Sequence, residues 1–587
     1  MAPLTRTLPA SWYCSSPLYQ LERRAVFLKS WYLLGPLTRF HTVGEEIDYE
    51  MAGVPLSACR MSEDIHDIKV INKETRENMR FYTTETGLLF STISDEAPSF
   101  DEFFPELKPL INTVDFTKLP YRRSIKYEGR FNWKTMVDGY QECLHCQYTH
   151  PSFSLYYPPT FYTVYNHKNF CQHVADPKKP HDGLFLYFFP NCTLNVYGGG
   201  MSSFRVCPTD KPGVTRMEFD YYNLETGDKF EEYFNFVRTV AMEDYELCEK
   251  AQENLEKGVY SEGILNPEKE TGVAYYQQQV LDMHVDERVG RLDRAEHMQT
   301  ALKISQRIAS KTALSCCRPQ LTASWLCVTH CSRFAKPGDY ISLALADFTI
   351  LLILSKDKIV RAFHNVCRHR AYAVTKKAAG SSLVLRCRYH GWTYDSKGKL
   401  LKAPHFDEID GFDKSENSLF SIHTCTDRAG FVYISLDAER DIQPPNLKGL
   451  QNLALETGLR AGSKWLTGWS LNGAFNWKVF SSYDHQYAVS TSAPPSLVSL
   501  LPRIFYNLFR KSHFSTANCK TSAWAPGSVV FTFRSSPLWA TATALPVSAT
   551  QTTLQLEVFS TADLPLEEIT VKNLKAFFEA YVGGLER

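Results

Sequence analysis

Cys367-Arg-His369 and Cys387-Arg-Tyr-His390-Gly-Trp392, with seventeen residues between the two segments, offer one thiol and one imidazole each. Two kinds of centre use such a set. Structural zinc accepts two Cys and two His, but its pairs usually run Cys-x-x-Cys and His-x(3–5)-His. A Rieske-type [2Fe–2S] centre holds one iron by two Cys and the other by two His, so each loop supplies one ligand to each iron. The interleaved order Cys367, His369, Cys387, His390 follows the second pattern, with zinc as the alternative.

A second set lies far upstream, in Asp138-Gly-Tyr-Gln-Glu142-Cys-Leu-His145-Cys-Gln-Tyr-Thr-His150-Pro151. The segment reads as a helix entering a turn at Pro151. Two imidazoles and one carboxylate from another segment form the facial triad of non-haem Fe(II) oxygenases, which leaves coordination positions open. Asp244, in the acidic stretch 240–252, is the candidate third ligand. A plain solvated helix face built from Glu243, Asp244, Glu246 and Glu249 is the competing reading. Cys143 and Cys146 beside the two histidines also allow structural zinc, although a regular helix does not turn four such side chains toward one ion.

The elements that must position these residues are organised as a repeat. Ser30-Trp31 through Arg39-Phe40 matches Ser324-Trp325 through Arg333-Phe334, and Phe131-Asn-Trp-Lys134 recurs as Phe475-Asn-Trp-Lys478. Gly87 to Asp95 resembles Gly430 to Asp437. The second copy carries about fifty extra residues between its anchors, and they contain all four Cys/His candidates. The first copy has only Val70 to Arg80 there, without Cys or His. Conversely, ungapped alignment puts Val489 and Pro494 where the first copy has His145 and His150. Each copy lacks what the other keeps.

With 587 residues the chain needs several cores. Lys plus Arg and Asp plus Glu balance at 64 each, so no basic face for nucleic acid is implied. The sixteen cysteines lack the dense spacing of a secreted scaffold. The N-terminus has no signal-like apolar core. The run Tyr340 to Leu354, broken by Asp347, is too short for a bilayer and suits two buried strands. A soluble, cytoplasmic, reducing setting is expected, with no membrane partner.

Together the two motif sets resemble the Rieske non-haem iron oxygenase α-subunits, most closely their choline and quaternary-ammonium monooxygenase branch. The resemblance covers nearly the whole chain. It implies an α+β fold of Rieske-type antiparallel β domains and helix-grip antiparallel-sheet catalytic domains, here in tandem. The expected division is a degenerate Rieske-like domain (1–95), a catalytic domain (96–295), a linker (296–320), an intact Rieske domain (321–445) and a degenerate catalytic-like domain (446–587). It also implies that Cys367, His369, Cys387 and His390 hold one [2Fe–2S] cluster, that His145, His150 and Asp244 hold mononuclear Fe(II), and that Glu142 bridges to a cluster histidine. The family has one Rieske domain ahead of one catalytic domain and passes electrons between subunits. This chain departs from that order, so its C-terminal half is expected to feed its N-terminal half, in one chain or across a homo-oligomer.

No Gly-x-Gly-x-x-Gly follows a strand, so electrons are expected from a separate NAD(P)H-dependent flavin reductase. The implied reaction uses O2 to hydroxylate or demethylate a small organic substrate. The aromatic run Phe153 to Tyr165 suits a methylated or quaternary amine through cation–π attraction. A secondary-metabolite scaffold is the rival substrate. A non-catalytic electron carrier and an inactive, eroded frame are the rival functions.

Overall fold

Phe131-Asn132-Trp133-Lys134 shows how local chemistry anchors the first half. The Asn132 side chain accepts from Lys134 N at 3.1 Å and caps the helix Trp133–Tyr140. Trp133 Nε1 donates to Glu22 Oε2 at 2.7 Å, and Lys134 Nζ to both Glu22 oxygens at 2.8 and 3.0 Å. Glu22 lies on the helix Ser16–Ala25, and all three side chains are buried. Removing one partner of a buried pair strands the other charge. Lys134→Met is therefore expected to destabilise the fold by about 3–5 kcal/mol in denaturant titration, and a loss below about 1 kcal/mol contradicts this pairing.

The structure, a computed structural model, describes residues 4–158, 160–176, 183–289, 325–345, 347–437, 442–445, 454, 459–482, 519–525, 527–533, 536–548, 550–563 and 568–586. The expected linker, 296–320, and the second-copy positions Val489 and Pro494 lie outside these.

The N-terminal region forms two three-stranded antiparallel sheets. One orders Trp31–Pro36, Leu88–Thr92 and Phe81–Thr83; the other orders Ile47–Met51, Val54–Arg60 and Ile68–Asn72. A seven-stranded antiparallel sheet follows, in the order Tyr121–Gly129, Thr215–Asn223, Gly200–Pro208, Cys192–Tyr197, Leu184–Phe188, Phe170–Val174 and Thr163–His167. The long helices Gly227–Glu256 and Thr271–Val289 accompany it.

The second half opens on another seven-stranded sheet, Leu326–His330, Phe431–Ser435, Ser421–Thr426, Val360–His364, Phe348–Leu354, Asp339–Leu345 and Ala379–Ser381 in spatial order. Tyr340 to Leu354 is thus a buried hairpin, with Asp347 at positive φ in its turn. A small sheet, Val384–Arg386, Thr393–Asp395 and Leu400–Lys402, stands beside it. The last sheet orders Lys464–Gly473, Thr552–Ser560, Leu538–Pro546, Ser528–Phe533 and Cys519–Ala525, and the helix Glu568–Leu585 packs on it.

The repeated anchors fall at like places. The last sheet follows the order of the first five strands of the earlier seven-stranded sheet. Their paired edge strands each carry a bulge, at Tyr221/Tyr222 and at Trp465/Thr467. Thr215 Oγ1 donates to Phe131 O and Thr552 Oγ1 to Phe475 O, both at 2.7 Å. The two halves also share a core: Val366 and Ala371 of the second half sit in the cluster built by the first.

Candidate metal centres

The helix that begins at Trp133 ends at Tyr140, so Glu142 and His145 lie beyond it rather than on it. The reason is local: the Glu142 carboxylate turns back to accept from Leu144 N and, at 3.3 Å, from His145 N. His145 opens the short helix Cys146–Thr149, and His150 joins that turn to the next helix, Pro151–Tyr156. Asp244 comes from the middle of the helix Gly227–Glu256.

These bends bring three donor atoms together. His145 Nε2 lies 3.1 Å from His150 Nε2 and 3.4 Å from Asp244 Oδ1, and His150 Nε2 lies 2.9 Å from Asp244 Oδ1. Cis ligands about 2.1 Å from one ion stand about 3 Å apart. His145 Nδ1 donates to Glu142 Oε1 at 2.5 Å, and His150 Nδ1 to Glu243 Oε2 at 2.7 Å. Both Nε2 lone pairs therefore face one point already lined by a carboxylate, an arrangement that suits a cation. The set fits a facial two-His, one-carboxylate site. Cys143 and Cys146 form a disulfide, so neither thiol joins the donor set. Glu243, read from sequence as part of a solvated face, orients His150; only its place next to Asp244 hints at that role.

The cluster candidates sit at the tips of two loops. Cys367 and His369 follow the strand Val360–His364, while Cys387 and His390 lie between Val384–Arg386 and Thr393–Asp395. Bonds from Cys367 N to Tyr372 O (2.8 Å) and from Cys387 N to Trp392 O (2.9 Å) close both loops. All four side chains are buried. The His369 ring stacks on Trp392 and stands 4.3 Å, centroid to centroid, from the His390 ring. His369 Nε2 bonds Glu270 Oε2 at 3.1 Å, and its Nδ1 is buried without a partner. His390 Nε2 bonds Glu142 Oε1, also at 3.1 Å. An orphaned imidazole nitrogen beside two buried thiols fits a [2Fe–2S] cluster held through Nδ1. The Tyr394 hydroxyl lies 3.2 Å from Cys367 Sγ, a bond of the kind that tunes such clusters.

Glu142 thus touches both sets: one oxygen meets His145 at 2.5 Å and His390 at 3.1 Å. Burial alone would raise its pKa, but the two imidazoles outweigh burial and hold it well below the usual carboxylate range. Glu270, which the sequence gave no reason to single out, makes the matching contact to His369 and also pairs with Arg370 at 2.7 Å. Further bonds dock the halves: Asn254 to Ala371 O (2.6 Å), Tyr260 to His369 O (2.8 Å) and Asn266 to His405 O (2.7 Å). Both candidate ligand sets lie within one chain, joined through Glu142.

A cavity of about 110 Å³ opens onto His145, His150 and Asp244. Its walls include Tyr140, Phe153, Tyr162, Phe185, Tyr197 and Phe204. Of the aromatic run noted above, Phe153 and Tyr162 reach it, whereas Tyr156, Phe161 and Tyr165 are exposed.

The chain matches the Rieske [2Fe-2S] domain family over residues 324–413 and the ring hydroxylating alpha subunit catalytic domain family over 116–176 and 163–285. It thus contains a Rieske [2Fe-2S] domain and a ring hydroxylating alpha subunit catalytic domain. It is also similar to carnitine monooxygenase oxygenase subunits. It is 32% identical to the Acinetobacter baumannii protein over 157 residues, 27% of this chain and 42% of that one. With the Acinetobacter pittii protein it shares 38% identity over 114 residues, 19% of this chain and 30% of that one. The biphenyl dioxygenase subunit alpha of Paraburkholderia xenovorans is 32% identical over 133 residues, 21% of this chain and 28% of that one. The chain therefore spans less than half the length of these relatives. Among solved structures, a quaternary ammonium Rieske monooxygenase in complex with L-carnitine aligns at 19% identity and TM-score 0.43, covering 48% of this chain and 96% of that one. Among the described residues, no helix is long and apolar enough to cross a membrane.

Proposed function

We propose that the chain is the oxygenase component of a system that uses O2 and electrons from a separate NAD(P)H-dependent flavin reductase to hydroxylate or oxidatively demethylate a small methylated or quaternary amine. The observation that carries this is the single Glu142 carboxylate within hydrogen-bonding distance of both His145 and His390. In this reading His145, His150 and Asp244 hold one Fe(II), and Cys367, His369, Cys387 and His390 hold one [2Fe–2S] cluster. When bound, these groups supply oxygen activation and electron delivery for attack on a C–H bond. Glu142 fixes the two histidines in register across the junction, while Glu243 and Glu270 orient their partners His150 and His369.

The expected division also stands as a proposal: a cluster-free β domain to residue 95, a catalytic domain to 295, a Rieske domain at 321–445 and a catalytic-like remnant to 587. The same reading makes the protein a cytoplasmic homo-oligomer in which each chain carries its own electron path.

The cavity supports a cationic substrate. Among its described lining residues there is no Lys or Arg to meet a carboxylate. Tyr140 donates its hydroxyl to Asn195 Oδ1 at 2.6 Å. Gln141 uses its amide N–H groups on Cys171 and Gly272 O, which leaves its Oε1 to accept from His173 Nε2 at 2.8 Å. His173 Nδ1 then accepts from the Tyr162 hydroxyl at 2.9 Å. Both tyrosines turn only acceptor lone pairs and ring faces to the cavity, an environment for a methylammonium group. A methylated amino alcohol fits it better than a substrate bearing a carboxylate.

Metal analysis with EPR on dithionite-reduced protein tests the assignment. Wild type should carry about three irons per chain, and His145→Ala should lose one while keeping the Rieske signal. Cys367→Ser should lose that signal. Two irons per chain, unchanged by His145→Ala, would leave an electron carrier and overturn the oxygenase reading.

A further inference from the structure

The first half buries an arginine where its N-terminal β domain meets the catalytic sheet. The Arg205 guanidinium donates to Asp220 Oδ2 at 2.7 Å, to Glu218 Oε2 at 3.3 Å and to Leu34 O at 3.3 Å, and lies over the Tyr49 ring. A second arginine, Arg39, stacks on Tyr121 at 4.1 Å and approaches the same Asp220 at 4.0 Å. This half is filled and its carboxylates are partnered.

Strand register identifies the counterparts in the second half. The hairpin that closes at Pro208 and Thr215 corresponds to the one closing at Pro546 and Thr552. Counting from those ends, Arg205 corresponds to Thr543, Glu218 to Gln555 and Asp220 to Glu557. The hairpins closing at Met51/Val54 and at Leu345/Phe348 likewise place Leu343 where Tyr49 stands. The outer arginine persists: Arg333 stacks on Trp465 at 3.8 Å and lies 3.7 Å from Glu557 Oε1. What is missing is the buried guanidinium and the ring beneath it.

In their place is a cavity of about 460 Å³, lined by Arg333, Leu343, Trp469, Leu545, Gln555 and Glu557. Thr543 shares the strand face of Leu545. Glu557 is only 2% exposed. Its Oε2 accepts from Thr329 Oγ1 at 2.8 Å, while its Oε1 has no hydrogen-bond partner. Arg333 Nη1 is likewise buried without one. A buried carboxylate oxygen without a hydrogen-bond donor keeps its desolvation cost until one meets it.

We propose that this cavity is a binding site for a small alkylguanidinium compound. The planar cation takes the position that Arg205 fills in the first half, donating to Glu557 Oε1 and the Gln555 amide oxygen. A planar guanidinium holds its N–H donors in a fixed fork and can serve the carboxylate oxygen and the amide oxygen at once, which a compact ammonium does less well. The alkyl tail lies along Ile341, Leu343 and Leu545, which form the apolar wall. The volume is in the range of small-molecule sites and exceeds what a bare guanidinium needs. The site lies between the second-half sheets, away from the iron and cluster ligands, and stands independently of the function proposed above.

Isothermal titration of the full-length, metal-loaded protein with n-propylguanidinium, against n-propylammonium, tests it. Wild type should show saturable binding of the guanidinium and weaker binding of the ammonium. Glu557→Gln removes the charge and should weaken binding about tenfold or more. Thr543→Arg supplies the guanidinium from the chain itself and should abolish binding while raising the melting temperature. No saturable heat with wild type, or undiminished affinity in Thr543→Arg, overturns the proposal.

Discussion

Glu142→Gln is expected to leave about three irons per chain and an unchanged Rieske EPR signal, while slowing reoxidation of the reduced cluster by O2 about 100-fold. The carboxylate accepts from His145 Nδ1 at 2.5 Å and from His390 Nε2 at 3.1 Å through the same oxygen. A glutamine has one oxygen and one NH2. Turned one way, it sets N–H against N–H at both histidines; turned the other, its NH2 meets the backbone N–H groups of Leu144 and His145 that the second carboxylate oxygen accepts. Neither histidine loses its metal-facing nitrogen, so both centres should still assemble. Stopped-flow absorbance of the cluster separates the two effects. Unchanged reoxidation with normal metal content would remove Glu142 from the electron path.

Gly263→Ala should uncouple the centres without replacing any ligand. A Cβ at Gly263 would stand 1.9 Å from the His369 carbonyl oxygen and 2.5 Å from the Tyr260 hydroxyl. Backbone at that distance must move, and overpacking of this kind costs about 1–3 kcal/mol. The movement displaces the loop carrying His369, which Tyr260 and Asn254 also hold. Slow cluster reoxidation, with iron and the Rieske signal retained, is the expected outcome. Gly462→Ala is the control, because nothing lies within 4 Å of its Cβ and its φ is unexceptional. Equal behaviour of the two variants contradicts a tight junction at Gly263.

Much of this arrangement was legible in the sequence because metal ligands are chemically restrictive. Only thiols and imidazoles serve a Rieske centre, so Cys367, His369, Cys387 and His390 stand out by type and spacing alone. The offset between the Trp31 and Trp325 anchors places strands that prove to share register. Less legible were the supporting carboxylates. Glu243 and Glu270 look like ordinary helix-surface acids, and only the fold brings Glu270 to His369 across 99 residues. The helical reading of Glu142 and His145 failed because a side-chain carboxylate satisfied the backbone N–H groups of Leu144 and His145 and turned the chain. Periodicity does not see such competition. The second-half cavity was hidden for a similar reason: Thr543 is an unremarkable strand residue until register sets it against Arg205.

In the proposed function electrons pass from the cluster to the iron site inside one chain. Mixing His145→Ala, which keeps only the cluster, with Cys367→Ser, which keeps only the iron site, tests it most directly. After anaerobic reduction and exposure to O2 with substrate, the mixture should reoxidise its cluster no faster than His145→Ala alone. Recovery toward half the wild-type rate on mixing would show that the centres meet across chains and contradict the account.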